Sequence, residues 1–113
     1  MAPSSVETVV DAYLDAWNER DPQRRITLLG AALADDCALE GPTGTFTGLE
    51  AVDRLIVALQ ERMGDAAITR AGPVAAGTFG WEVRRGDGTV LMQGRDEVDQ
   101  GDDGRLRVIR VVL

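Results

Sequence analysis

The spacing of the apolar residues changes near Gly64, and this change limits the folds that the chain can adopt. Before Gly64, apolar residues recur at helical spacing in three segments. After it they mostly alternate with polar residues, which is typical of half-buried strands. Helices that precede a run of strands indicate an α+β fold, with the helices covering one face of a curved, mainly antiparallel sheet. We expect residues 1–113 to form a single domain, because this length supports one hydrophobic core.

Each of the three predicted helices combines a candidate cap with an apolar stripe. Ser4–Glu7 and Thr47–Glu50 fit capping boxes for the first and third helices. Asp21 and Pro22 start the second helix, which we expect to fade near Ala34. The stripes predicted to be buried are Val6, Val9, Val10, Tyr13, Leu14 and Trp17, then Ile26, Leu29 and Leu33, then Val52, Leu55, Ile56, Leu59 and Met63.

Four strands are predicted after the third helix, at residues 66–76, 78–85, 89–98 and 106–113. Glycine-rich turns after residues 85 and 99 would connect the last three strands as hairpins. A shorter strand at 37–40 should lie between the second and third helices, followed by an extended piece at 45–46. The last strand is apolar on both faces, so we expect both sides of the sheet there to contact other groups.

The strand at 89–98 places a carboxylate on its apolar side, because Asp96 shares the parity of Val90, Met92 and Val98. A carboxylate is costly to bury unless it is paired, hydrogen-bonded or protonated. Asp96 is therefore either a functional group or half of a structural ion pair. The arginines of the sheet that could form such a pair are Arg84, Arg95 and Arg110.

The composition excludes several classes of chemistry. The chain has no histidine and no lysine, so acid–base chemistry would fall to carboxylates and to Tyr13, the one tyrosine. Neither a metal nor an organic cofactor is predicted. A net charge of −7 argues against nucleic-acid binding, and no apolar run is long enough to span a membrane. The single cysteine, Cys37, and a start without signal-peptide features favour the reducing cytoplasm.

The order and spacing of several short motifs resemble the NTF2-like superfamily, specifically its branch of SnoaL-like polyketide cyclases and ketosteroid isomerases. This resemblance covers nearly the whole chain and implies a cone-shaped α+β fold. The motifs that carry it are residues 13–21 (YLDAWNERD), 34–37 (ADDC), Gly41-Pro42, Gly48, Gly94-Arg95-Asp96, Asp103-Gly104-Arg105 and Val108-Ile109-Arg110.

The resemblance implies roles for three positions. Tyr13 corresponds to the oxyanion-binding tyrosine of the ketosteroid isomerases, and Asp96 to their protonated aspartate, a known example of a buried neutral acid. The aspartate that moves the proton in those enzymes falls at Gly41, which has no group for that task. Glu40 is adjacent but should face the opposite side of the sheet. An epoxide-hydrolase arrangement would need a carboxylate where Val111 stands.

Two functional hypotheses follow. The first is a cofactor-free isomerase or cyclase for a small, largely apolar carbonyl compound, with Asp96 as acid or base and Tyr13 as oxyanion donor. The second is a non-catalytic module for ligand binding or dimerisation, which Gly41 favours. Homodimerisation through the exposed face of the sheet is also implied by the resemblance. The residues predicted to contact the ligand in a conical pocket are Trp17, Gly41, Phe79, Trp81 and Met92.

Overall fold

The computed structural model describes residues 5–112 as three helices on one face of a curved, six-stranded sheet, which confirms the predicted α+β fold. The sheet order is β2-β1-β6-β5-β4-β3, and every neighbouring pair is antiparallel except β1 with β6. In the described part of the chain, no helix is long and apolar enough to cross a membrane. The elements are α1 (Val6–Asn18), α2 (Pro22–Ala32), β1 (Leu33–Gly41), β2 (Gly44–Thr47), α3 (Leu49–Met63), β3 (Ala67–Ala75), β4 (Thr78–Arg84), β5 (Val90–Gln100) and β6 (Leu106–Val112).

The helix caps follow the prediction only for α2, where the Asp21 side chain accepts a hydrogen bond from the Arg24 amide. The cap of α1 is Ser5, whose hydroxyl accepts from the Thr8 amide, while Ser4 lies outside the described residues. The capping box predicted for α3 is wrong, because Gly48 occupies the cap position and no side chain bonds there. Its φ of +88° explains why a glycine is favourable at this position.

The first strand is longer than predicted, because α2 ends at Ala32 and β1 begins directly at Leu33. The two aspartates expected to end the helix, Asp35 and Asp36, are exposed inside this strand. The pairing of β1 with β6 shifts register between Leu33 and Ala38. That irregularity lets two consecutive polar residues lie in the strand without entering the core.

The last strand also departs from simple alternation. Leu106 and Ile109 are both fully buried although their parities differ. The pairing of β5 with β6 shifts register next to Leu106, which leaves Arg107 as an extra residue in β6. Val112, by contrast, keeps 47% of its surface exposed. Part of the apolar pattern that predicted two buried faces is therefore explained by a bulge in a strand with one buried face. The predicted last residue of this strand, 113, lies outside the described residues.

The second helix buries a charge where an apolar residue was expected. Ile26 is exposed, whereas the neighbouring Arg25 is only 4% exposed. Its guanidinium pairs with Asp53 of α3 at 2.5 Å and donates to the Glu19 carbonyl at 3.0 Å. The Gln60 amide donates to the same carbonyl at 2.8 Å. These contacts attach the loop between α1 and α2 to α3.

The end of α1 is fixed to β3 by one side chain. The Asn18 amide nitrogen donates to the Ile68 carbonyl, and its oxygen accepts from the Ile68 amide, both at 2.8 Å. Nearer the start of α1, Arg70 of β3 forms ion pairs with Glu7 and Asp11, each at 2.8 Å. Both ends of α1 are thereby held to β3, and Tyr13 lies between them.

Candidate functional site

A bulge in β5 decides which residues share a face with Asp96. Arg84 pairs with Val90, but the next pair is Val83 with Met92, so Leu91 is an extra residue. Without it, Trp81 would face Gln93 and Asp96 would lie on the outer side of the sheet. With it, Asp96 pairs with Phe79 on the side that faces the helices. The prediction that Asp96 points inward is correct, whereas Val90, which precedes the extra residue, lies on the outer face despite having the same parity.

The carboxylate of Asp96 is buried and hydrogen-bonded to a neutral group. Asp96 is 4% exposed, and the indole nitrogen of Trp81 donates to its Oδ1 atom at 2.9 Å. Within residues 5–112, no arginine forms an ion pair with it. The predicted alternative, a structural ion pair between Asp96 and an arginine of the sheet, is therefore absent from the described residues. Arg84 pairs with Glu82 instead, and Arg110 pairs with Glu40 and Asp99.

Burial without a counter-charge changes the proton affinity of Asp96. Removal from water disfavours the charged form and raises the pKa of Asp96 to about 6, while the hydrogen bond from Trp81 acts in the opposite direction. A carboxyl group with this pKa gains and loses a proton near neutral pH. Perturbation of this kind is frequent at functional sites.

Tyr13 lies on α1 above the same face and is 1% exposed. Its burial raises its pKa far above the usual range for tyrosine, and the nearby charge of Asp96 adds to this effect. The Trp17 side chain partly opposes it through a hydrogen bond and meets the Tyr13 ring edge-to-face, with ring centroids 6.3 Å apart. The phenol is therefore a neutral hydrogen-bond donor that lies within electrostatic reach of the Asp96 carboxylate.

The other predicted ligand contacts lie in different surroundings. Trp17, Phe79 and Trp81 are buried on the side of the sheet that faces the helices or on α1 above it. Met92 is on the same side, opposite Val83, but half of its surface is exposed. It therefore lies at the rim of this region rather than inside it.

Gly41 lies in the same row across the sheet as Asp96. The register places it level with Val111 of β6, and Val111 pairs with Asp96, so two strand spacings, or about 10 Å, separate the two positions. Glu40 points to the outer face, as predicted, and pairs there with Arg110. A Cβ atom at Gly41 would make only ordinary contacts, at 3.7 Å or more.

Trp81 was predicted to line a pocket, and its bond to Asp96 was missed. The sequence predicts the hairpin that joins their two strands, but the position of the extra residue, which sets the register of that hairpin, depends on packing.

In the described chain, no three carboxylate or thiol groups lie close enough to hold a metal ion. A surface cleft of about 410 Å³, between β1 and the turn from β5 to β6, contains aspartates and arginines and lies apart from Asp96.

Comparison with known proteins identifies the family. The profile of the SnoaL-like domain matches residues 10–112, so the chain belongs to this family of the NTF2-like superfamily. A search of the curated proteins found no match.

Solved structures agree on the fold. A candidate isomerase of the SnoaL-like family from Agrobacterium tumefaciens is similar, with 27% identity over 92% of both chains and a TM-score of 0.84. A candidate polyketide cyclase from Sinorhizobium meliloti shares 19% identity over 92% of this chain and 93% of its own, with a TM-score of 0.65. An NTF2-like protein of unknown function from Exiguobacterium shares 19% identity, covering 92% and 96%, with a TM-score of 0.69.

Proposed function

We propose that the chain binds a small, largely apolar carbonyl compound between α1 and the sheet and catalyses its cofactor-free isomerisation or cyclisation. The observation that carries this proposal is a pair of buried groups, the Asp96 carboxylate, which has no counter-charge within residues 5–112, and the neutral phenol of Tyr13. The similarity to a candidate isomerase and a candidate cyclase supports the same class of reaction.

Asp96 acts as the base in this proposal. With a pKa of about 6, roughly nine in ten copies are ionised at pH 7, so the group accepts a proton more readily than it donates one. This differs from the neutral aspartate of the ketosteroid isomerases. Because Gly41 cannot move a proton, Asp96 takes over that task.

The reaction then proceeds through an enolate. Asp96 removes a proton from the carbon next to the carbonyl, and the electrons of that C–H bond form the C=C bond of the enolate. The negative charge moves to the oxygen, where the neutral Tyr13 hydroxyl donates a hydrogen bond. In a β,γ-unsaturated ketone the enolate is conjugated with the C=C bond, so return of the proton to the γ-carbon shifts that bond into conjugation with the carbonyl and completes an isomerisation. Attack of the enolate carbon on a second carbonyl carbon completes a cyclisation, and the proton moves to the new alkoxide.

The surroundings favour an apolar substrate. Trp17, Phe79 and Trp81 supply aromatic surface next to the proposed base, and a water-poor site strengthens the hydrogen bond to the enolate. Met92, half exposed at the rim, would contact the substrate as it enters. A hydrophobic pocket formed by these residues and Gly41 is part of the proposal. The cofactor-free reaction stays a prediction from the composition.

The test is proton exchange at the carbon next to the carbonyl, followed by NMR in deuterated water, with 3-oxosteroids and simple β-diketones. We expect Asp96→Asn to slow exchange by about 10² to 10⁴, the contribution of a positioned general base. Tyr13→Phe removes one oxyanion donor and should cost about 10² to 10³. Equal rates for the wild type and Asp96→Asn would remove Asp96 from the mechanism.

The second candidate function is ligand binding without turnover, and the glycine at position 41 favours it. In that case apolar ketones would raise the melting temperature by binding the folded chain, without any exchange of their protons. A thermal-shift series with the same compounds separates the two functions.

We also propose that the chain forms a homodimer through the outer face of the sheet and works in the cytoplasm. The helices leave this face uncovered, and Val112 is 47% exposed on it. Sedimentation of the wild type and Val112→Asp tests the dimer, since a charge in an apolar contact should favour the monomer. Cell fractionation tests the location.

A further inference from the structure

Trp81 and Asp96 are joined by a diagonal hydrogen bond across two neighbouring strands. In the register of β4 with β5, Trp81 lies opposite Gly94, and Phe79 lies opposite Asp96. The indole therefore has to extend along β5 past position 94, where glycine has no side chain to occupy the space. Its Nε1 atom ends 2.9 Å from Oδ1 of Asp96, with both side chains buried.

The two oxygen atoms of the Asp96 carboxylate are in different situations. Oδ1 accepts the Trp81 bond, whereas Oδ2 accepts none within the described chain. In that part of the chain, every side-chain oxygen or nitrogen that is fully buried has a hydrogen-bond partner. Because Oδ2 has none, it is not fully buried and keeps some accessible surface. Oδ2 is thus the atom that a ligand can approach.

We propose that Trp81 is a positioning residue, whose N–H holds Oδ1 of Asp96 so that Oδ2 is presented to the substrate proton. This inference rests on the proposed function, and it adds a residue that acts through the base. Gly94 is part of the same arrangement, because it leaves room for the indole, and a larger side chain there would displace the indole from Asp96.

The groups around Asp96 make the effect of Trp81 measurable. Tyr13 faces it from α1, Phe79 and Trp81 from β4, and Val111 from β6. Of these only Tyr13 ionises, and burial raises its pKa, so it stays neutral near pH 7. The Trp81 bond is then the contact that favours the charged carboxylate over the neutral acid. Its loss should make Asp96 hold its proton more tightly.

The test replaces Trp81 by 3-benzothienylalanine, which keeps the shape of tryptophan but has sulphur in place of the N–H. Carbon-13 NMR of aspartate-labelled protein follows the titration of Asp96, which is assigned by the signal missing in Asp96→Asn. We expect a proton affinity roughly tenfold higher, because a hydrogen bond to a charged group is lost. The pH profile of ketone exchange should move to higher pH together with this titration.

Two further variants serve as control and check. The same replacement at Trp17, whose hydrogen bond involves Tyr13, should leave the Asp96 titration in place. Gly94→Val should raise the proton affinity of Asp96 without altering Trp81 itself, and near-UV circular dichroism verifies that each variant folds.

The outcomes separate this inference from the proposed function. An unchanged Asp96 titration in a folded Trp81 replacement overturns the positioning role, even when the wild type exchanges ketone protons. If the wild type exchanges no ketone protons, the catalytic proposal fails. The positioning role of Trp81 then fails with it, because Asp96 is no longer a base. The NMR titration still measures the effect of the Trp81 hydrogen bond on Asp96 in that case.

Discussion

Two buried charged residues of this chain are surrounded in opposite ways. Arg25 and Asp96 are each 4% exposed. Arg25 has an oppositely charged partner, Asp53, and donates to a backbone carbonyl. Asp96 has a neutral indole and, within residues 5–112, no oppositely charged partner.

The difference is the basis for treating Arg25 as a structural charge and Asp96 as the proposed functional one. A buried ion that is paired and hydrogen-bonded contributes to stability through those partners, and its removal leaves them unsatisfied. A buried carboxylate without a counter-charge costs stability at neutral pH and gains a proton affinity suited to catalysis. We therefore expect changes at Arg25 to affect folding and changes at Asp96 to affect chemistry.

The largest effect on stability is expected for Arg25→Met. This change leaves Asp53 without its partner and frees the loop between α1 and α2. Because Asp53 is a quarter exposed, we expect a loss near the lower end for buried pairs, about 3 kcal/mol in the free energy of unfolding. Urea denaturation measures it, with Arg24→Met, an exposed neighbour, as control. Equal losses for both variants would contradict the assignment.

The pH dependence of stability should identify Asp96 by its sign. Its pKa is about 6 in the folded chain and about 3.9 when unfolded, so the folded form holds the extra proton between these values. This contribution to stability is present below about pH 4 and is lost as the pH rises through 6. Asp96→Asn should therefore gain about 2 to 3 kcal/mol relative to the wild type between pH 4 and 7, measured by urea denaturation at each pH. Glu97→Gln, on the exposed side of the same strand, is the matched control variant.

Gly41→Asp places a second carboxylate in the row that contains Asp96. The position has room for a side chain and has no left-handed backbone, so the change should be tolerated. A restored base should raise the exchange of 3-oxosteroid protons tenfold or more, which is the low end for general bases. Gly41→Asn is the matched control without a titrating group. No gain over this control would mean that the second carboxylate does not reach the substrate.

The smallest effect is expected for Asp21→Ala, next to the structural charge. Loss of the side-chain cap of α2 should cost about 1 kcal/mol in thermal or urea unfolding. The exchange rate of the folded protein should stay unchanged, because Asp21 does not contact the region of Asp96. Asp21→Asn keeps a capping side chain and should recover most of the loss. A lower exchange rate in folded Asp21→Ala would contradict the separation between the structural region around Arg25 and the proposed site around Asp96.

Local patterns predicted the parts of the fold that local physics determines. The stripe of α1 is buried as expected except for Val6, which is partly buried, and Asp21 with Pro22 starts α2 where predicted. The inward direction of Asp96 also followed from alternation along its strand. Arg25 was missed because its partner lies 28 residues away in the sequence, on another helix. No spacing within α2 indicates that pairing.

The candidate site depends on features that alternation does not contain. The extra residue at Leu91 brings Asp96 to the face of Phe79 and Trp81, and a simple count from the turn would have separated them. The roles of Tyr13 and Asp96 as oxyanion donor and acid or base were predicted through the resemblance. The link between Trp81 and Asp96 required the register, which is set when the sheet packs against the helices.

The Asn18 side-chain amide bonds the free edge of β3 at Ile68, where it takes the place of the backbone of a neighbouring strand. β3 ends the sheet, and an unpaired strand edge invites other chains to extend the sheet by aggregation. By taking both backbone groups of one residue, a helical side chain closes that edge at this point. The contact that secures the helix carrying the proposed oxyanion donor thus also guards the protein against polymerisation.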